Sequence, residues 1–324
     1  MQELAFWVSP GRGEIRPVEV AEPGPGQVRV RTVRSGVSRG TETLVFRGAV
    51  PVDQHERMRA PHQDGDFPGP VKYGYLSVGV VEAGAPELVG RTVFCLHPHQ
   101  TAYVVPAADV TVVPDGVPAD RAVLAGTVET AVNALWDAGP RLGDRVAVVG
   151  AGMVGCCVAR LLRQVPGVDV TLVDVDPTRA EVADSLDVAF AHPSEAPGGR
   201  DLVVHASATE AGLQRSLELL APDGEVVDLS WYGDTPVRLD LGGAFHSGRL
   251  RVRASQVGEV ALARRHRRTR AERLALALAL LRDPAYDALF TGASSFGELP
   301  ELMADLSTGR RAALCHTITY PEEG

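Results

Sequence analysis

The run Gly150-Ala-Gly-Met-Val-Gly155 constrains this chain more than any other stretch. It follows the apolar run Arg145-Val-Ala-Val-Val149, the pattern of a parallel strand buried on both faces, and it opens the helical segment 153–164. In that setting each glycine has a separate physical task. Gly150 makes the tight turn, Gly152 lets the main chain approach a pyrophosphate, and Gly155 lets helix and strand pack closely. The helix start, with Met153 and Val154, offers N–H groups to the anion. Asp174 ends the next apolar strand, about 20 residues on, where a carboxylate accepts hydrogen bonds from ribose hydroxyls and repels a 2′-phosphate. The expected cofactor is therefore NAD(H) rather than NADP(H). Arg179, shortly after, weakens that exclusion slightly.

Similar apolar runs recur at 168–173, 202–205, 225–229 and 250–254, with helical segments between most of them, notably 153–164 and 211–220. Strand–helix alternation at this spacing means βαβ units around a parallel sheet. The chain before it has a different texture. Residues 27–33 alternate polar and apolar after the breaker cluster Pro23-Gly-Pro-Gly26, and 78–82, 92–96 and 102–105 read as further short strands. Residues 46–70 lack periodicity and read as a long loop over the mouth of the site. Residues 121–138 and 271–281 have helical character, and the tail 314–320 alternates again, as a strand returning to the N-terminal β-rich region would.

At 324 residues the chain is long for one core and suits two domains. A net charge of −9 argues against general nucleic-acid binding, which needs a basic surface. No apolar run is long enough for a membrane span, and the N-terminus lacks the pattern of a signal peptide. Cys95, Cys156, Cys157 and Cys315 show neither ligand spacing nor a disulfide framework, so a reduced cytoplasm is the expected setting. Among 32 basic residues Lys72 is the one lysine.

Further motifs stand in order along the chain: Ser35-Gly-Val-Ser-Arg-Gly-Thr-Glu42, Lys72-Tyr-Gly-Tyr75, His97-Pro-His-Gln100, Trp231-Tyr-Gly233 and Ser255-Gln-Val-Gly258. With the glycine loop they make the chain resemble, over essentially its whole length, the medium-chain dehydrogenase/reductase superfamily. Within it the chain most resembles the zinc-free branch that includes bacteriochlorophyllide a dehydrogenase-like proteins. The resemblance implies an α/β architecture in which a Rossmann dinucleotide-binding domain, 123–263, is inserted into a β-rich GroES-like catalytic domain, 1–122 and 264–324. Zinc-dependent relatives hold their metal at positions that match Ser38, Tyr75 and Gly126 here. A hydroxyl and a phenol are poor zinc ligands and glycine has no side chain, so no metal is expected, with His97 and His99 as the alternative of a rebuilt site.

Without zinc, protein donors must handle the charge and the proton of carbonyl–alcohol interconversion. The resemblance places Ser38, Tyr75, Lys72, Glu129 and the His97/His99 pair around the metal position. Tyr75 is the first candidate for proton transfer, with Lys72 as the cation that would lower its pKa or contact substrate. His97 either relays protons or is structural. Glu129 is a base or a helix cap; the resemblance implies that Thr130 lies near the nicotinamide and that Arg39 reaches the pyrophosphate, with a surface arginine as the alternative. The basic run Arg264-Arg-His-Arg-Arg-Thr-Arg270 is a solvated helix face or a docking patch for an anionic substrate.

The expected function is NAD(H)-linked interconversion of a secondary alcohol and a ketone in a biosynthetic intermediate. The alternatives are an NAD(P)H-dependent enone or quinone reductase, and a dinucleotide-binding protein without catalysis. The expected partners are a small-molecule substrate and a second copy of the chain, pairing through 250–257 across a two-fold axis, with no nucleic acid and no membrane.

Overall fold

The apolar runs of the middle of the chain form one parallel sheet. In the computed structural model, which describes residues 2–321, six strands lie side by side in the order Ala189–Ala191, Asp169–Val173, Arg145–Val149, Arg200–His205, Leu220–Asp228 and Arg251–Ala254. Every neighbouring pair is parallel, and Val149 is in register with Val173 on one side and His205 on the other. The chain leaves the central strand first to one side and later to the other. Such a reversal opens a crevice at the strands' carboxyl ends, where open α/β sheets bind ligands. Helix Met153–Arg163 buries Cys156, Cys157, Val158, Leu161 and Leu162, so the paired cysteines are core residues. The other face of the sheet packs Leu213 and Leu217 of helix Glu210–Glu218 against Ala147, Val203 and Val226.

The remaining strands form two further sheets. Strand Gln27–Val37 pairs antiparallel with Ser77–Gly84, Ala102–Pro106 and the returning tail strand Cys315–Thr319, with Thr317 opposite Gly36. It runs past residue 33 because the tail supplies partners for Arg34–Val37, which no local pattern announces. A small sheet joins the N-terminal hairpin, Glu3–Ser9 with Arg12–Val18, to the short strands Val71–Lys72 and Asp64–Gly65. Residues 46–70 are otherwise irregular, with one short turn of helix at Val52–Gln54. The helical stretch 121–138 is broken into Ala119–Ala122 and Ala125–Ala138. Residues 264–269 of the basic run form exposed turns and loop rather than a helix face, as expected where like charges would stand one turn apart, and Arg270 opens helix Arg270–Leu280.

The chain divides into two compact units. One holds the chain up to Gly126, Leu278–Arg282 and the part from Phe290 on; the other holds Thr127–Ala277 and Asp283–Leu289. The return therefore falls at 278 rather than 264. Arg273, in helix Arg270–Leu280, explains this. It is 1% exposed, and its guanidinium meets Glu129 Oε1 at 3.0 Å, Asn133 Oδ1 at 2.5 Å, and the carbonyls of Val257 and Glu259 at 2.5 and 3.1 Å. A buried guanidinium with that many acceptors ties its helix to the unit that provides them.

Candidate active site

The glycine loop sits at the carboxyl end of the central strand, and each glycine faces a different steric demand. Gly150 has φ +108°, and a β-carbon there would come within 2.7 Å of the Ser207 main-chain nitrogen. A β-carbon on Gly155 would meet the Gly150 carbonyl oxygen at 1.8 Å, so helix and strand touch through it. Around Gly152 nothing lies within 4 Å, leaving its face open to an approaching group. Gly152 is the N-cap of helix Met153–Arg163 and no side chain caps it, so the first N–H groups of the helix remain available to an anion. Met153 is buried and Val154 half-buried in that first turn.

Asp174 braces the loop. Its Oδ2 accepts the Ala151 N–H at 2.6 Å and its Oδ1 accepts the Asp176 N–H at 2.9 Å. A carboxylate has about four acceptor sites, so two remain for ribose hydroxyls. Arg179 lies 3.3 Å from Asp176, which engages the guanidinium expected to weaken the exclusion of a phosphate. These residues fit a dinucleotide: an open main-chain cradle, a helix start and a partly occupied acid.

In the other unit, the side chains form a chain of hydrogen bonds. Tyr75 Oη donates to Ser38 Oγ at 2.7 Å. The Ser38 N–H donates to Glu42 Oε1 at 2.7 Å, and Glu42 Oε2 is 2.9 Å from His99 Nε2. His99 Nδ1 is 2.7 Å from Ser35 Oγ, which is 2.9 Å from the hydroxyl of Tyr320. Glu42 and His99 are 3% and 1% exposed, whereas Ser38 and Tyr75 are half-buried, so the chain runs from the core toward solvent. Local sequence explains the near end. Ser38 is the N-cap of helix Arg39–Phe46, and Glu42 reaches back from the first turn, where an acid is favoured. Gly74, at φ +130°, leaves the room that the His99 ring occupies, since a β-carbon there would approach its Cδ2 to 2.8 Å.

Burial and the neighbouring charge of Glu42 push the Tyr75 phenol up to about 12, against hydrogen bonds from Ser38 and Thr41 that act the other way. Tyr75 is thus held neutral. The cation sought in Lys72 is elsewhere: its ammonium lies 3.2 Å from Asp64 Oδ2, donates to Gln100 Oε1 at 3.1 Å, and sits over the Trp7 ring. His97 is stacked on Tyr103 with centroids 3.7 Å apart, and its Nδ1 faces the Pro98 carbonyl at 2.9 Å. Burial depresses it to about 3, so it is a neutral ring at any ordinary pH. Glu129, read as a base or a cap, is instead half of the buried ion pair with Arg273, and burial raises its carboxyl. Thr130 follows, half-buried, and Arg39 is exposed at the start of its helix; both are hydrogen-bonded or otherwise engaged.

The positions matching zinc ligands do not fit the metal. Ser38 and Tyr75 bond to each other, and Leu76 Cδ2 fills the space that a side chain at Gly126 would need, 2.7 Å from its β-carbon. Among the described residues no three His, Cys, Asp or Glu side chains gather as a metal site. Glu42, Ser35 and Tyr320 were not singled out as site residues from the sequence. Glu42 stood inside a quoted motif, and its spacing from an N-cap serine was the available signal.

No protein-family model matches the chain. It is 23% identical over 273 residues to (R,R)-butanediol dehydrogenase of Bacillus subtilis, covering 70% of this chain and 77% of that one. It is 27% identical over 264 residues to 2-desacetyl-2-hydroxyethyl bacteriochlorophyllide A dehydrogenase of Cereibacter sphaeroides, covering 74% and 77%. Its structure superposes on an alcohol dehydrogenase of Escherichia coli CFT073 complexed with NADH, with a TM-score of 0.78, 18% identity and coverage of 98% and 100%. The fold, a parallel α/β unit and a β-rich unit, is shared with this dehydrogenase over its full length. A protein of Sinorhizobium meliloti assigned as a zinc-binding dehydrogenase and bound to NADP is equally similar, with a TM-score of 0.78, 17% identity and coverage of 98% and 99%. Relatives of this fold thus include holders of either dinucleotide and proteins described as zinc-binding.

Proposed function

We propose that this chain is a zinc-independent, NAD(H)-linked oxidoreductase that interconverts a secondary alcohol and a ketone in a biosynthetic intermediate. The observation that carries the reading is the 2.7 Å bond from Tyr75 to Ser38, two hydroxyls that the resemblance matches to the positions of zinc ligands. Alcohol dehydrogenases among its relatives support the reaction class. Asp174 supports NAD over NADP.

Gly150, Gly152, Gly155 and Asp174 would hold NAD(H), which when bound would supply or accept the hydride. The chain's own residues manage the proton. With Tyr75 donating to Ser38 Oγ, the Ser38 hydroxyl hydrogen is directed away from the phenol and toward a substrate oxygen. In the reducing direction Ser38 gives its proton to that oxygen and takes the proton of Tyr75, which water then restores. An alkoxide is a stronger base than a phenolate of pKa about 12, so the transfer runs downhill. In the oxidising direction the same steps run backward. Glu42 fixes the Ser38 main chain through its N–H and, by its charge, keeps the phenol protonated until the substrate oxygen needs it. His97 enters as a neutral wall and Lys72 as a support for the strand that leads to Tyr75.

The exposed edge strand Arg251–Ala254 suits pairing with a second copy, and four buried cysteines suit a reducing cytoplasm. No helix among the described residues is long and apolar enough to cross a membrane. The deciding experiment is transfer of deuterium from 4-deuterated NADH to a panel of ketones and enones. Label on a carbinol carbon is the expected result, and label β to a surviving carbonyl would make the protein an enone reductase. Metal analysis of protein purified without chelator should find no stoichiometric zinc; near-equimolar zinc would overturn the zinc-free mechanism.

A further inference from the structure

A second polar cluster, distinct from the one around Tyr75, closes the carboxyl ends of two neighbouring strands of the parallel sheet. His205 ends strand Arg200–His205 and is fully buried, yet both ring nitrogens are engaged. Its Nδ1 lies 2.9 Å from Asp228 Oδ1, at the end of strand Leu220–Asp228, and its Nε2 lies 2.7 Å from Ser207 Oγ. Asp228 also accepts the Ser230 N–H at 2.9 Å and the Tyr232 hydroxyl at 2.9 Å, and these bonds, with His205, hold its carboxyl below the usual range against the effect of burial. An ionised Asp228 places the imidazole proton on Nδ1, which leaves Nε2 to accept from the Ser207 hydroxyl. Ser207 Oγ can then accept from Thr209, 2.9 Å away.

The arrangement of serine, histidine and acid matches that of hydrolases, but the neighbouring main-chain donor is already used. The Ala208 N–H, the nearest candidate for an oxyanion, donates to Ser230 Oγ at 3.0 Å. What the cluster does instead follows from where Ser207 lies. The Ala206 N–H donates to the Val149 carbonyl at 2.8 Å, and the main chain of Ala206–Ser207 lies directly against Gly150, the first glycine of the cradle. Ala208 then turns through φ +53°, a conformation that costs energy for a residue with a β-carbon and must be held by its surroundings. His205 supplies the hold. It joins the turn after one strand to the turn after the next, and both lie at the end of the sheet where the crevice opens.

We propose that His205 is a positioning residue for the dinucleotide. With Asp228 and Ser207 it locks the turn Ala206–Ala208 against the glycine loop, so that the part of the cradle facing the pyrophosphate and the nicotinamide side is formed before ligand arrives. This rests on the dinucleotide reading of the glycine loop. The adenosine end, governed by Asp174 on the opposite side of the central strand, lies outside the lock.

The test is a comparison of ligands by fluorescence and calorimetric titration of the full chain, using NADH and AMP as probes. Ser207→Ala cuts the link at one end and His205→Asn cuts it at the other, while the asparagine amide keeps a donor toward Asp228. Each should weaken NADH by about five- to tenfold, the size of one lost hydrogen bond, and leave AMP within about twofold. The double variant should lose no more than the single ones, because both remove the same link. NADH binding within about twofold of the parent in both single variants would overturn the proposal. Equal weakening of NADH and AMP together with a fall in Tm would also overturn it, making the cluster a general stabiliser. A parent protein that binds AMP but neither NADH nor NADPH would remove the dinucleotide reading itself.

Discussion

The glycine loop and the Tyr75 chain are built on opposite principles. The first is made of main chain, and its function lies in what is missing: no side chain at Gly152, no room for one at Gly155. Its residues sit within a few positions of one another, plus Asp174 on the adjacent strand. The second is built from four distant segments, carrying Ser35–Ser38–Glu42, Tyr75, His99 and Tyr320, linked by hydrogen bonds of 2.7 to 2.9 Å. The difference teaches where each should fail. A main-chain site fails sterically and all at once, whereas a side-chain network fails link by link, and each link has its own chemical signature.

Gly155→Val should have the largest effect, because its β-carbon would overlap the Gly150 carbonyl and the turn could not close. NADH binding, followed by fluorescence, should vanish; a variant that binds as the parent does would show that the loop is not a steric device. Tyr75→Phe comes next. Loss of a proton donor should lower turnover by about 10²- to 10⁴-fold while the Kd for NADH stays put. A Kd that moved with turnover would merge the two regions that the comparison separates.

Glu42→Gln should act more gently and sharpen the contrast through pH. The amide oxygen can still accept the Ser38 N–H, but the charge is gone, so the phenol of Tyr75 should ionise below its present value of about 12. The native state holds that proton between the ordinary tyrosine range near ~10 and about 12, whereas the unfolded chain has released it, so stability falls as pH rises through this window. Glu42→Gln should narrow the window and soften the alkaline fall, read by thermal melts against pH and by phenolate absorbance. It should also reduce stability at neutral pH by about 1–3 kcal/mol, since His99 loses a charged partner. Unchanged phenolate titration would take Glu42 out of the account of Tyr75.

Lys72→Arg should have the smallest effect. An arginine can still pair with Asp64 and lie over Trp7, so turnover should remain within about twofold. A large loss would return Lys72 to the chemistry and show that its contacts with Asp64 and Gln100 are not its main role.

The same contrast governs what could be read before the structure. The strand–glycine–helix run and Asp174 were legible because their physics is local: a buried strand, a turn and a helix start must follow one another in sequence. Strand Gln27–Val37 was read short because its last residues gain their partners from Cys315–Thr319, far along the chain. Tyr75 and Ser38 were found through resemblance, and the hydrogen bond between them could not be read from spacing. Lys72 drew notice as the one lysine, yet composition says nothing about which way a side chain turns, and it turns to Asp64. Glu129 beside Thr130 suggested chemistry, but its partner Arg273 lies on a helix whose Ala/Leu pattern spoke only of packing. Pairings across long stretches of chain carry no periodic signal, and these are the ones that build the second site.

Arg273 gathers the carbonyls of Val257 and Glu259 and the side chains of Glu129 and Asn133 on one guanidinium. Val260 and Ala261 are buried beside that base, with the Ala261 N–H donating to Asn133 Oδ1 at 2.9 Å, so the exposed arc 262–269 hangs from a fixed base whose neck is closed by the pair Arg270–Glu259 at 3.2 Å. Drift in length or composition within that arc should be nearly invisible to the rest of the unit, which makes it the natural place for lineages to diverge and for a fluorophore or epitope to be spliced in without cost to the cofactor cradle.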